Sequence, residues 1–361
     1  MDPQTNQVRQ IAQAVLYEGY LLWPYRESSL KNRHRWTIGG VHPEAYGRAH
    51  EGDRWRMRTE CLVEAEPGDT VDVCVRFLHV VTREPVAGGP GRLSGEEARE
   101  RELTMPGLVV DELARGPAVT AIDLPAGRRI EPLHGPGGAT DRAPAPPADL
   151  PVEPPTELPT GLPTGPPTGL SPGAGGQAGT VVRSWEALRG RIEASARRLG
   201  PGLFTIAVEV VNTTPWGPGT RADALRRTLV SAHTVLHGPR ARFVSLMDPP
   251  PELREHAEAC RNEGAWPVLV GPHGDRHTVL ASPIILYDHP EIAPESPGDL
   301  FDNTEIDQLL TLSVLALSDQ ERQEIRDGDP RARAILDRCT ALAPEDLMRL
   351  HGLMRRTEPQ A

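Results

Sequence analysis

Imidazole, thiol and carboxylate groups at close spacing are where this chain could do chemistry, and three places offer it. The first is His233-Thr234-Val235-Leu236-His237. Rings four apart share a face on either a helix or a strand, so a metal pair is geometrically open. The simpler reading is a half-exposed strand or turn with two unrelated histidines. The second is His256 with Cys260, four apart on an expected helix, with His273 and His277 close in sequence. A Cys/His zinc set could be drawn from them. His273 lies in Gly271-Pro272-His273-Gly274-Asp275, however, which reads as a hairpin loop, where solvent-facing histidines are common. The third is the acidic, proline-stiffened run Tyr287 to Glu305, which holds Asp288, His289, Asp302 and Glu305. Asp288 beside His289 could orient an imidazole for acid–base work. Such a stiff, acidic loop between two elements is a common place for binding. Its carboxylate spacing is not that of an EF-hand. The plain alternative is a surface crossover that caps the next helix.

No GxSxG, Walker A, HExxH or GxGxxG motif is present, which argues against the common enzyme classes. A net charge of −11 argues against a partner that is nucleic acid. Lys31 is the only lysine, and the arginine excess reads as the codon bias of a GC-rich genome. No segment approaches the roughly 20 apolar residues of a membrane span, and no secretory h-region follows Asp2. Cys61, Cys74, Cys260 and Cys339 are scattered without CxxC spacing, as reduced thiols in a cytoplasmic protein would be. Nothing in the sequence names a cofactor.

The elements that must position these groups read as mainly β. A helix is expected over 3–18, with Val8, Ile11, Ala12, Val15 and Leu16 on one stripe. The run Gly19 to Arg26 gathers Tyr20, Trp23 and Tyr25 beside Arg26, a second candidate contact segment. Alternation over Trp55–Val63 and Val71–Phe77, with Glu66-Pro67-Gly68-Asp69 between, predicts a hairpin in a sheet with one wet face. Shorter strands are expected near 102–104, 118–122 and 129–131. Residues 134–179 contain twelve prolines and ten glycines and no aromatic residue, so they cannot offset their ordering entropy and predict a disordered tether. Beyond it, Leu203–Asn212 is the strongest strand, and the alternation over 184–198 favours a second strand paired with it through Gly200-Pro201-Gly202, with a helix as the other reading. A helix over 222–230, a strand over 241–246, a helix over 251–262 and strands over 267–271 and 277–286 follow.

Residues 301–361 predict a helical tail, with Ile306, Leu309, Leu310, Val314 and Leu317 as its stripe and Ser318 to Glu321 as a capping box. The expected division is 1–133, tether 134–179, 180–300 and tail 301–361. Strand patterning on both sides of the tether favours one antiparallel β-sandwich interrupted by an insertion.

Two long stretches, Tyr20 to Trp36 and Ser282 to Asp307, resemble a family of proteins from high-GC, actinobacterial bacteria. That family is associated with gene clusters of actinobacterial-type NiFe hydrogenases and has no assigned biochemical role. The resemblance implies a non-enzymatic accessory or assembly protein whose partner is a hydrogenase subunit or maturation factor. The expected contact residues, read from the two segments themselves, are Trp23, Tyr25, Arg26, Tyr287, Asp288, His289, Asp302 and Glu305. The competing expectation is a metal-handling protein or enzyme using His233, His237, Asp288 and His289.

Overall fold

The computed structural model describes residues 39–85, 95–132 and 180–290, together with single helical positions at 11, 12, 16, 319, 322, 326, 333, 336, 337 and 340. The elements run α1 (Glu44–Ala49), β1 (Arg56–Glu64), β2 (Thr70–Pro85), β3 (Gly95–Val109), α2 (Val110–Leu113), β4 (Ala118–Leu124) and β5 (Gly127–Pro132). After residue 179 come β6 (Thr180–Trp185), β7 (Leu188–Gly200), β8 (Leu203–Asn212), α3 (Arg221–Leu225), β9 (Val230–His237) and β10 (Arg242–Val244). A 3₁₀ turn (Pro251–Leu253), α4 (Arg254–Glu258), β11 (Trp266–Leu269) and β12 (Thr278–Ser282) complete the described chain.

Two antiparallel sheets face one another. The five-stranded sheet has the order β10-β1-β8-β7-β4. The seven-stranded sheet runs β11-β12-β9-β2-β6-β5, with β3 on the other side of β2. Each sheet takes strands from both sides of residues 133–179. Alternation explains the packing between them: Cys61 and Val63 of β1, Ile206 and Val208 of β8, and Val73, Val75 and Phe77 of β2 belong to one buried cluster. The in-between residues Leu78 and Val80 of β2 point the other way and pack with Leu16, Leu225 and Val230. Ile11 and Ala12 likewise cover Val268, Val270 and Leu280. The amphipathic stripe expected near the N-terminus therefore has a sheet face to bury against at the positions described. The seven described positions between 319 and 340 are helical. The tether and the remaining helix signals of both ends lie outside the described residues. The strands flanking 133–179 are neighbours, with Pro132 directly opposite Thr180.

Several expectations need correction. β1 and β2 are not a hairpin. β1 pairs with β8 and β10, whereas β2 pairs with β3, β6 and β9. The Glu66–Asp69 turn carries the chain from one sheet to the other. Asp69 builds that corner: one carboxylate oxygen accepts from Glu66 N at 2.8 Å and the other from Arg240 Nε at 2.7 Å. Nor is the outer face of β1 wet, because Leu62 packs with Val244 and Ala257.

The helix expected over 251–262 ends at Glu258, because the residues that follow line the open edge of β1. Glu60 accepts from Arg261 N at 2.7 Å, Asn262 accepts from Glu60 N at 2.9 Å, and Glu263 exchanges backbone bonds with Arg58. The helix expected over 222–230 ends at Leu225, since Leu229 pairs with Val41 and β9 begins at Val230. The strand expected over 277–286 stops at Ser282, before Pro283.

Candidate functional site

One cleft gathers polar groups from several elements. Its volume is ≈ 150 Å³, and its walls include Gly39, His42, Asp53, Arg54, Arg56 and Trp266. The chain enters at Gly39-Gly40-Val41-His42. Gly39 has φ +67, and a Cβ there would stand 2.4 Å from Pro283 Cγ, so the backbone can lie this close to Pro283 only as glycine. Val41 exchanges backbone bonds with Leu229 at 2.9 and 3.0 Å, and its carbonyl also accepts from Asn212 Nδ2 at 2.8 Å. His42 N donates to Arg54 O at 2.7 Å, which brings the segment before α1 and the segment after it together at the mouth.

His42 is buried. Its Nδ1 lies 3.4 Å from the Arg54 carbonyl and its Nε2 lies 3.7 Å from Asp53 Oδ1. Burial lowers its pKa, and the nearby Asp53 opposes that shift. Asp53 itself is clamped by both terminal nitrogens of Arg221, one of them at 3.0 Å. That hydrogen bond raises the pKa of Arg221. Tyr46 of α1 stacks on His42 at 5.5 Å and on His50 at 4.0 Å, and meets Trp216 edge-on at 5.3 Å. Arg54 and Arg56 reach the same acid, Glu263, at 3.7 and 3.3 Å. Arg56 also lies 5.5 Å over Trp55. A His–Asp contact is half of an acid–base relay. Here the carboxylate is committed to Arg221, and the cleft wall carries no Ser, Thr or Cys side chain.

The histidines singled out from spacing have other surroundings. His233 is sealed in the middle of β9, opposite Arg76, rather than half-exposed. Its Nδ1 contacts Ser231 O at 3.1 Å and its Nε2 has no hydrogen-bond partner. Burial pushes its pKa down to about 4. His237 is at the exposed end of the same strand, with Nδ1 3.0 Å from Thr278 Oγ1. Cys260 lies just beyond α4, not on it; its thiol donates to the backbone carbonyl of His256, within α4, at 3.5 Å, and burial pushes this thiol up to about 11. His277 is committed to the carbonyls of Gly238 and Ala241, at 3.0 and 3.1 Å. Among the described residues no group of three or more His, Cys, Asp or Glu side chains is placed to hold a metal ion.

Asp288 and His289 do not form an acid–base pair. Asp288 Oδ1 accepts from Leu269 N at 2.8 Å, and Oδ2 accepts from the Ser245 hydroxyl. His289 N donates to Leu269 O at 2.7 Å, its Nδ1 meets Gly271 O at 3.2 Å, and its ring lies edge-on to His273 at 5.3 Å. The segment from Pro283 to His289 is thus a strap whose end satisfies the outward-facing amide and carbonyl of Leu269 at the edge of β11. Trp23, Tyr25, Arg26, Asp302 and Glu305 lie outside the described residues.

The strap also carries exposed apolar surface. Ile285 is 75% and Tyr287 79% exposed, and Trp266 of β11 and Met247 beside Ser245 are exposed as well. These four make up most of the large exposed hydrophobic side chains among the described residues, the others being Val119 and Ile130. Trp266 is also a wall of the cleft. Local spacing does not reveal the cleft, although Gly39-Gly40-Val41-His42 and the charged run Asp53-Arg54-Trp55-Arg56 both supply it.

No protein-family model matches this chain, and no curated protein matches it.

Proposed function

We propose that this chain is a non-enzymatic accessory or assembly protein that holds a partner protein along the β11 edge of its larger sheet. The observation that carries the reading is the exposure of Met247, Trp266, Ile285 and Tyr287, which lie on β11 or on segments joined to it through Asp288 and form its apolar ridge in this proposal. Large apolar side chains left in water along one part of a surface mark an interaction surface. The strap beneath them is hydrogen-bonded at Asp288 and His289, so the ridge is presented on a fixed backbone. The proposed partner is a NiFe hydrogenase subunit or maturation factor, and the proposed setting is the cytoplasm. Support for that partner is the resemblance of Ser282 to Asp307, whose first half carries Ile285 and Tyr287. No helix among the described residues is long and apolar enough to cross a membrane.

The test is co-purification with hydrogenase subunits from a host that encodes both, with the native chain and an Ile285→Asp/Tyr287→Ala variant. The expected result is co-purification with the native chain and a loss of about tenfold with the variant. Equal recovery with both, together with unchanged hydrogenase maturation in a strain lacking the gene, overturns the proposal.

A further inference from the structure

We infer that the cleft between Gly39 and Trp266 binds a small organic anion, with its carboxylate or phosphate group held by Arg54 and Arg56. This does not depend on the partner proposed for the ridge. The first argument is charge. Two guanidinium groups at the wall share one carboxylate, Glu263, at 3.7 and 3.3 Å. Both contacts are longer than the roughly 2.7–2.9 Å of a charge-assisted hydrogen bond. The acid of the wall itself, Asp53, is taken by Arg221. The cleft therefore has positive charge in excess, on a chain whose net charge is −11.

The second argument is position. Gly264 has φ +79, and a Cβ there would lie 3.2 Å from Arg54 Cδ, so the glycine leaves room for the arginine stem. Arg56 rests on Trp55. Both guanidiniums are thus steered before any ligand arrives, and the planar fork suits a carboxylate or phosphate. The third argument is the remaining wall. Met57, Trp266 and Pro283 offer apolar surface, and ≈ 150 Å³ admits only a compact body.

His42 couples the site to pH. Its buried ring lies on the cleft wall, with Nδ1 3.4 Å from the Arg54 carbonyl and Nε2 3.7 Å from Asp53. Burial opposes the protonated form most and Arg221 adds to that, while Asp53 and the backbones of Arg54 and Gly40 favour it, and Tyr46 covers the ring face. A bound anion tips the balance towards protonation, so its affinity rises as pH falls.

Calorimetric titration of the full chain with benzoate, phenyl phosphate and inorganic phosphate tests this. The expected result is saturable binding of benzoate or phenyl phosphate, stronger at about pH 6 than at about pH 8. Arg54→Gln/Arg56→Gln lowers the affinity about tenfold, and Glu263→Gln, which removes the competing carboxylate, raises it. Circular dichroism and urea midpoints confirm that each variant is folded. Equal affinity in the native chain and the double arginine variant overturns the site, as does weaker binding by Glu263→Gln. Inorganic phosphate binding as tightly as phenyl phosphate overturns the organic ligand.

Discussion

Among the described residues, His233 and His79 are the imidazoles with no exposure to water at all. Both are fully buried, and desolvation pushes each pKa down to about 4, with Arg76 adding to the effect on His233 and Arg101 on His79. In the unfolded chain both rings titrate near 6.5. Between those values the unfolded state binds more protons than the folded one. The stability tied to the neutral rings is therefore complete above about pH 6.5 and is lost as pH falls towards about pH 4, by up to roughly 3 kcal/mol per ring. Urea midpoints should drop between about pH 7.5 and about pH 5, and His233→Leu should flatten the slope. A slope unchanged by that substitution would show that His233 titrates normally in the fold. The spacing of His233 and His237 was legible in the sequence, and their opposite fates were not. Strand geometry puts both on one face, but only the pairing of β9 between β2 and β12 seals the first while the strand end leaves the second exposed.

At the scale of elements, strand character was the most legible feature. β1, β2, β7 and β8 all lie where alternation placed them, because a half-buried strand must repeat every two residues. Pairing was less legible. A two-residue period says that a segment is a strand and is silent about its neighbour, so the corner at Asp69 looked like a hairpin turn. Asp288 shows the same limit. An acid beside a histidine suggested chemistry, yet the carboxylate replaces a missing strand by accepting from Leu269 N. Asp288→Ala should cost about 1–3 kcal/mol, since it strips both the Leu269 amide and the Ser245 hydroxyl of their acceptor. Hydrogen exchange should show the Leu269 amide losing protection while the β1–β8 pair keeps its own. Unchanged protection at Leu269 would mean that the strap is not held by this carboxylate.

At the scale of the molecule, residues 133–179 connect neighbouring strands. Because Pro132 stands opposite Thr180, their replacement by a short Gly/Ser turn requires no rearrangement of either sheet. Shortening the loop lowers its closure entropy, so the excised protein should unfold in one transition and be about 1–2 kcal/mol more stable. The fragments 1–132 and 180–361 should fail to fold alone, as each lacks strands of both sheets. A stable, cooperatively folding fragment would contradict that topology.

By itself, the sequence determined that the chain is mainly β and where several of its strands fall, β1, β2, β7 and β8 among them, because those properties follow from local period and turn chemistry, whereas β9 gave no such signal. It also marked the Pro/Gly composition of 134–179, and it held the glycines and arginines of the cleft without revealing that they meet. Tertiary structure alone decided that β1 and β2 part into different sheets, that His233 is sealed, that Asp288 serves an edge, and that His42, Arg54 and Trp266 share one wall. Each of those depends on contacts between residues far apart along the chain, which no local spacing encodes.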